Sequence, residues 1–166
     1  MKTIALVFIL MTLSFGLFSQ DFEVPKNYKL ENAEDYAAYE QDIIKCFNWL
    51  TETPVNKQTS KRKSANAFLL KWISGSPNVH IEIKQEIVTF MSSSPDLLLI
   101  FMGGWTKYAL ESKDFDNKIA GTMAGIESVI DFYVKNKSLL PKDKNVEKLI
   151  KMKAKGTLKE YIEKNA

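Results

Sequence analysis

The sequence predicts an all-α fold, a single-domain orthogonal or irregular bundle of six to seven helices around a buried antiparallel pair at about 95–111 and 116–135. Three observations carry that prediction. The run Leu97–Trp105 is apolar on every side, which suits a helix in the middle of a domain. The stretch Asp116–Lys135 sets Ile119, Met123, Ile126, Ile130, Tyr133 and Val134 on one helical face and Ala120, Gly121, Ala124, Gly125 and Ser128 on the other. Only the short polar link Ser112–Phe115 separates the two stretches, so they should lie antiparallel. Each carries two glycines, Gly103 and Gly104 against Gly121 and Gly125. A helix-interior glycine costs about 1 kcal/mol relative to alanine. Close backbone approach within the pair is the simplest compensation.

The other elements follow in chain order. Met1-Lys2 and the apolar run Thr3–Phe18, followed by small residues and polar Gln20-Asp21, read as a secretory signal peptide over 1–19. The run is short for a membrane span, which needs about 20 apolar residues. An extended arm is expected at 20–31, around Pro25, and one helical domain over 32–166. Asn32 is the N-cap expected for a first helix reaching about Leu50, with Glu34 and Asp35 in its first turn. Tyr36, Tyr39, Ile43, Phe47 and Leu50 form its apolar side, and Thr53-Pro54 ends it.

Ser60 is the expected cap of a second helix, which buries Ala65, Phe68, Leu69, Trp72 and Ile73 and stops at Gly75 and Pro77. Between Asn78 and Met91, the spacing of Val79, Ile83, Ile87, Phe90 and Met91 favours a helix over a lone strand. Ser94-Pro95-Asp96 then starts the first helix of the central pair, with a hydroxyl cap, proline at the first position and an acid at the positive end. Asp114 or Asp116 caps the second. After a loop at Ser138–Asp143, Val146, Leu149, Ile150 and the stem of Lys153 mark another helix ending at Gly156. Thr157 caps a last short one built on Leu158, Tyr161 and Ile162.

Much chemistry is excluded at once. His80 is the only histidine and Cys46 the only cysteine, so no internal disulfide and no multi-histidine or Cys/His zinc site can form. A Ser-His-Asp site would depend on His80, and no GxSxG element accompanies it. Cys46 reads as a buried thiol and His80 as a structural or partly exposed residue. The SKDFDN segment (112–117) fails as a calcium loop, with Ile119 where a glycine belongs and Gly125 in place of the closing glutamate. No metal site and no cofactor is predicted.

Net charge is only +3 but unevenly spread. Lys135–Ala166 holds ten lysines against four acids, whereas Glu31–Glu52 is acidic. Helix faces in solvent are the commoner explanation, and the chain carries no nucleic-acid-binding motif.

The leading functional expectation is an exported, non-enzymatic helical protein that binds a protein or peptide partner in the cell envelope, with no integral membrane span once the leader is removed. A second reading is a carrier holding an apolar small molecule against the glycine-lined face of helix 116–135. A third is a small hydrolase using Glu127 and Asp131, which stand i,i+4 where the large and small walls meet. The candidate contact residues are therefore Gly121, Gly125, Ser128, Glu127, Asp131 and Trp49, the last because it lies off the main stripe of its helix and is expected to be partly exposed.

Overall fold

A computed structural model describes residues 22–91 and 94–166. The expected signal peptide and its cleavage site lie outside the described residues. Among those residues the chain is all-helical, with seven helices and no strand. They are α1 (Ala33–Ala38), α2 (Glu40–Glu52), α3 (Thr59–Gly75), α4 (Pro95–Ser112), α5 (Lys118–Lys135), α6 (Lys144–Ala154) and α7 (Leu158–Asn165). The arm ahead of α1 has no helix or strand over 22–32, with a turn at 26–27, and it is pinned by buried Phe22 and by Tyr28, whose ring meets Phe68 edge-on at 4.7 Å.

Asn32 caps α1 as expected. Its Oδ1 accepts from Asp35 N (3.0 Å), and the Asp35 carboxylate accepts in turn from Asn32 N (3.3 Å), a reciprocal capping box. The single helix expected over 32–50 is instead two. At Tyr39 the backbone leaves helical geometry (ψ 2°), and the carbonyl of Tyr36 accepts from Tyr39 N at 3.2 Å and from Trp72 Nε1 at 3.0 Å. A tertiary donor thus occupies the acceptor that would have continued the ladder.

Helix α3 begins at Thr59 rather than after a Ser60 cap, with Gln58 in the left-handed region (φ 48°) and no side-chain cap. Its first turn does other work. Arg62 is buried and turns back to the end of α2, where Nη2 donates to the carbonyls of Leu50 (3.1 Å), Thr53 and Pro54 (3.5 Å). Those are orphan acceptors of a helix C-terminus, and a guanidinium is well shaped to collect them. Its Nε has no partner. Burial lowers the Arg62 pKa, while the negative charge of Asp96 acts in the opposite direction.

The central pair is α4 and α5, the most extensive helix–helix contact of the fold. Its antiparallel register is read directly from neighbours: Gly121 faces Trp105, Gly125 faces Phe101, and Gly104 faces Ala124 and Ser128. A methyl at Gly121 would lie 2.5 Å from the Trp105 indole, and one at Gly125 would lie 2.8 Å from the Phe101 carbonyl oxygen. At Gly104 it would lie 2.9 Å from the Ala124 carbonyl oxygen. Three of the four glycines therefore serve the pair. Gly103 does not, because it makes room for the ring of Phe47 on α2 and for Leu69 on α3.

Two start signals differ from expectation. Ser94 precedes Pro95 at the start of α4, but its hydroxyl makes no capping bond. Asn117 caps α5, accepting from Ala120 N at 3.1 Å, in place of Asp114 or Asp116. Asp114 instead holds the cap, accepting from Asn117 Nδ2 (3.0 Å) and from the Tyr108 hydroxyl (3.1 Å).

The helix expected over 78–91 does not form, and neither does a strand. Residues 76–91 are irregular, with tight turns closed by Ile87 N to Lys84 O (3.0 Å) and Met91 N to Val88 O (3.0 Å). Val79, Ile87, Val88 and Phe90 are buried, whereas Ile83 is exposed. Tertiary donors hold this backbone: the Tyr161 hydroxyl donates to Glu86 O and Asn145 Nδ2 to Thr89 O (2.9 Å). Lys118 pairs with Glu82 on the same segment. Helix α6 is capped by Asp143 and, as expected, ends ahead of Gly156 (φ 72°). The Thr157 side chain makes no cap to α7; its hydroxyl donates back to Met152 O at 3.4 Å. The buried apolar side chains of every helix but α1 join one connected core, to which the arm adds Phe22 and the irregular segment adds Phe90.

Candidate functional site

Where α2 and α5 diverge across α4 they leave an open groove of about 460 Å³. The small residues Gly104 and Ala124 keep its floor low, and the rings of Phe47 and Phe132 close it beneath. The walls are polar. Asn48, Thr51 and Glu52 come from α2, Lys107, Tyr108 and Glu111 from α4, and Glu127, Ser128, Asp131 and Lys135 from α5. Four carboxylates and two lysines thus line one channel.

Several of these side chains are already oriented. Lys107 Nζ donates to Asn48 Oδ1 (2.7 Å) and stands 3.8 Å from Glu111 Oε1, tying α2 to α4 across the groove. The Thr51 and Ser128 hydroxyls donate to their own helices, to Asn48 O (2.9 Å) and Ala124 O (2.8 Å). That leaves their oxygen lone pairs directed outward as acceptors. Glu127 and Asp131 are bridged by Lys153 Nζ from α6, at 3.3 and 3.6 Å. Their side chains are 45% and 71% exposed, the arrangement of a surface ion pair.

The six expected contact residues divide sharply. Ser128, Glu127 and Asp131 are brought together on the groove. Gly121 and Gly125 are not: both are buried against Trp105 and Phe101, which leaves no room there for the ligand of the carrier reading. A different open depression, of about 510 Å³, has Ile119, Ala120 and Met123 of α5 on one side and Lys159 and Glu163 of α7 on the other. Trp49, expected at the surface, is only 2% exposed. Lys61 Nζ lies 5.1 Å and the Arg62 guanidinium 5.8 Å from its ring centroid. The cations cover the indole.

Asn48, Thr51 and Lys107 were not foreseen, since they reach the groove only through the packing of α2 on α4. Lys107 is marked in the sequence as a charge on the largely apolar α4, whereas Asn48 and Thr51 are not singled out on the amphipathic α2. Cys46 is fully buried, its Sγ directed at Ala65 O (3.5 Å), and burial pushes the thiol pKa up to about 12, so it has no nucleophilic thiolate at neutral pH. His80 is exposed on the irregular segment. Among the described residues no group of three or more His, Cys, Asp or Glu is placed to hold a metal ion, and no helix is long and apolar enough to cross a membrane. Compared with known proteins, the chain matches no family model, no curated protein and no solved structure.

Proposed function

We propose that this chain is an exported, non-enzymatic helical protein that binds a protein or peptide partner through the groove between α2, α4 and α5. The observation that carries the reading is the groove's construction. Small residues lower the floor on two adjoining helices, and both walls present acceptors and charges without a buried reactive group among them. A peptide laid along such a channel finds side-chain acceptors and charge partners along its edges. With four carboxylates to two lysines, the lining favours a segment that carries lysine or arginine. The apolar leader over 1–19 supports export.

The hydrolase alternative uses the same groove, and one experiment separates the two. A photo-crosslinking residue at Ser128 of the full chain, expressed in the cell that makes it, should yield an adduct with a discrete protein. The same residue at Leu70, exposed on α3, should not. Reversing the rim charges (E52K/E111K) should remove the adduct while the circular dichroism of the chain stays unchanged. No adduct at Ser128, or one indifferent to charge reversal, contradicts the reading. Hydrolytic turnover lost on Glu127→Ala or Asp131→Ala would replace it with the hydrolase.

A further inference from the structure

The outward face of α6 carries a different kind of surface. Lys144, Lys148, Lys151 and Lys155 stand at i, i+4, i+7 and i+11, within an arc of about 60° at 100° per residue. All four are exposed. The buried side of the helix, Val146 and Leu149, points the opposite way, so the lysines lie on the outward side of the fold. The stripe runs about 17 Å at 1.5 Å per residue.

Several neighbouring lysines are ion-paired and these are not. Lys137 and Lys142 share Glu147 at 3.7 Å each, Lys153 bridges Glu127 and Asp131 on the side facing α5, and Lys159 pairs with Glu163 at 3.6 Å. Among the described residues no ion pair engages Lys144, Lys148, Lys151 or Lys155; Lys148 sits 5.7 Å over the Tyr161 ring. Three successive pairs of like charge are spaced three or four residues apart, and Lys144 stands at the positive end of the helix, so both are unfavourable, whereas Lys151 and Lys155 suit the negative end.

We propose that this face of α6 docks the protein on an anionic lipid bilayer. The face is convex and bears no apolar residue on the stripe, so it lacks the desolvated core that a protein interface requires, and lysine is depleted from such cores. A planar field of phosphate headgroups asks for neither a groove nor apolar area. It attracts lysines individually, near a surface, through a strongly hydrated point charge. This proposal does not depend on the groove, which lies across α6 on the side of Lys153.

The test is sedimentation of the full chain with vesicles of phosphatidylcholine alone or with about one-third phosphatidylglycerol. The chain and a K148Q/K151Q/K155Q variant share the apolar leader, so its contribution cancels in the comparison. The anionic vesicles should bind the chain about tenfold or more tightly than the variant. That difference should vanish in phosphatidylcholine vesicles and shrink as salt shortens the Debye length from about 10 Å at 0.1 M to about 3 Å at 1 M. A control removing the same charge elsewhere (K26Q/K29Q/K57Q) should bind like the parent. Equal binding of parent and α6 variant, or an equal loss in the control, overturns the proposal. So does α6-dependent binding to soluble polyaspartate without binding to anionic vesicles, which would assign the face to an acidic polymer.

Discussion

The α4–α5 pair and the irregular segment at 76–91 are both rich in apolar residues, and they bury them by opposite means. In the pair, burial is periodic. Each helix satisfies its own backbone, and glycines let the second wall of α5 close on Trp105 and Phe101. In the segment, burial is by anchors. Val79, Ile87, Val88 and Phe90 are buried individually, while side chains from α6 and α7 satisfy the backbone of Glu86 and Thr89. Hydrophobic content alone therefore does not make a helix here. What separates the two regions is whether the main-chain partners are all local or partly tertiary.

That contrast can be broken or sharpened by substitution. Trp105→Ala should give the largest effect, about 4 kcal/mol by urea unfolding, because the cavity opens against Gly121 inside the pair. Phe90→Ala removes the deepest anchor of the segment and should cost about 3 kcal/mol. A cost at Phe90 close to zero would show that the segment is not anchored at all. Tyr161→Phe deletes the hydroxyl that donates to Glu86 O and should cost about 1 kcal/mol. It should also raise hydrogen exchange around 84–91 while leaving α4 and α5 as slow as global unfolding.

A separate effect is confined to alkaline pH. Burial raises the Cys46 thiol from 9.0 to about 12 in the folded chain. Its contribution to stability is thus complete below about 9 and is lost as pH climbs toward about 12. Alkylation of Cys46 at pH 8 should accordingly require unfolding, and labelling of the folded chain at the rate of a free thiol would contradict the burial.

The legible parts of the sequence were those whose causes are local. Asn32, Pro95 and Gly156 act within one helical turn, and the all-round apolar run of α4 and the periodic faces of α5 and α6 need no knowledge of their neighbours. The break at Tyr39 was not legible, since Trp72, 36 residues away from Tyr36, takes its carbonyl. Trp49 looked exposed because its cover, Lys61 and Arg62, belongs to α3. Gly103 looked like part of the pair because nothing in its own helix points to Phe47. The candidate groove divides the same way. Glu127, Ser128 and Asp131 share one helix and could be grouped from spacing, whereas Asn48, Thr51 and Lys107 join them only by tertiary packing.

Urea unfolding of Gly125→Ala is the most direct test of the tightly apposed pair. By propensity alone the substitution stabilises an interior helix position by about 1 kcal/mol. Inside the pair the new methyl would sit 2.6 Å from the Phe101 ring and 2.8 Å from its carbonyl oxygen, so backbone as well as side chain must move. A net loss of about 2 kcal/mol is predicted. A variant more stable than the parent would mean that α4 and α5 do not meet at Gly125.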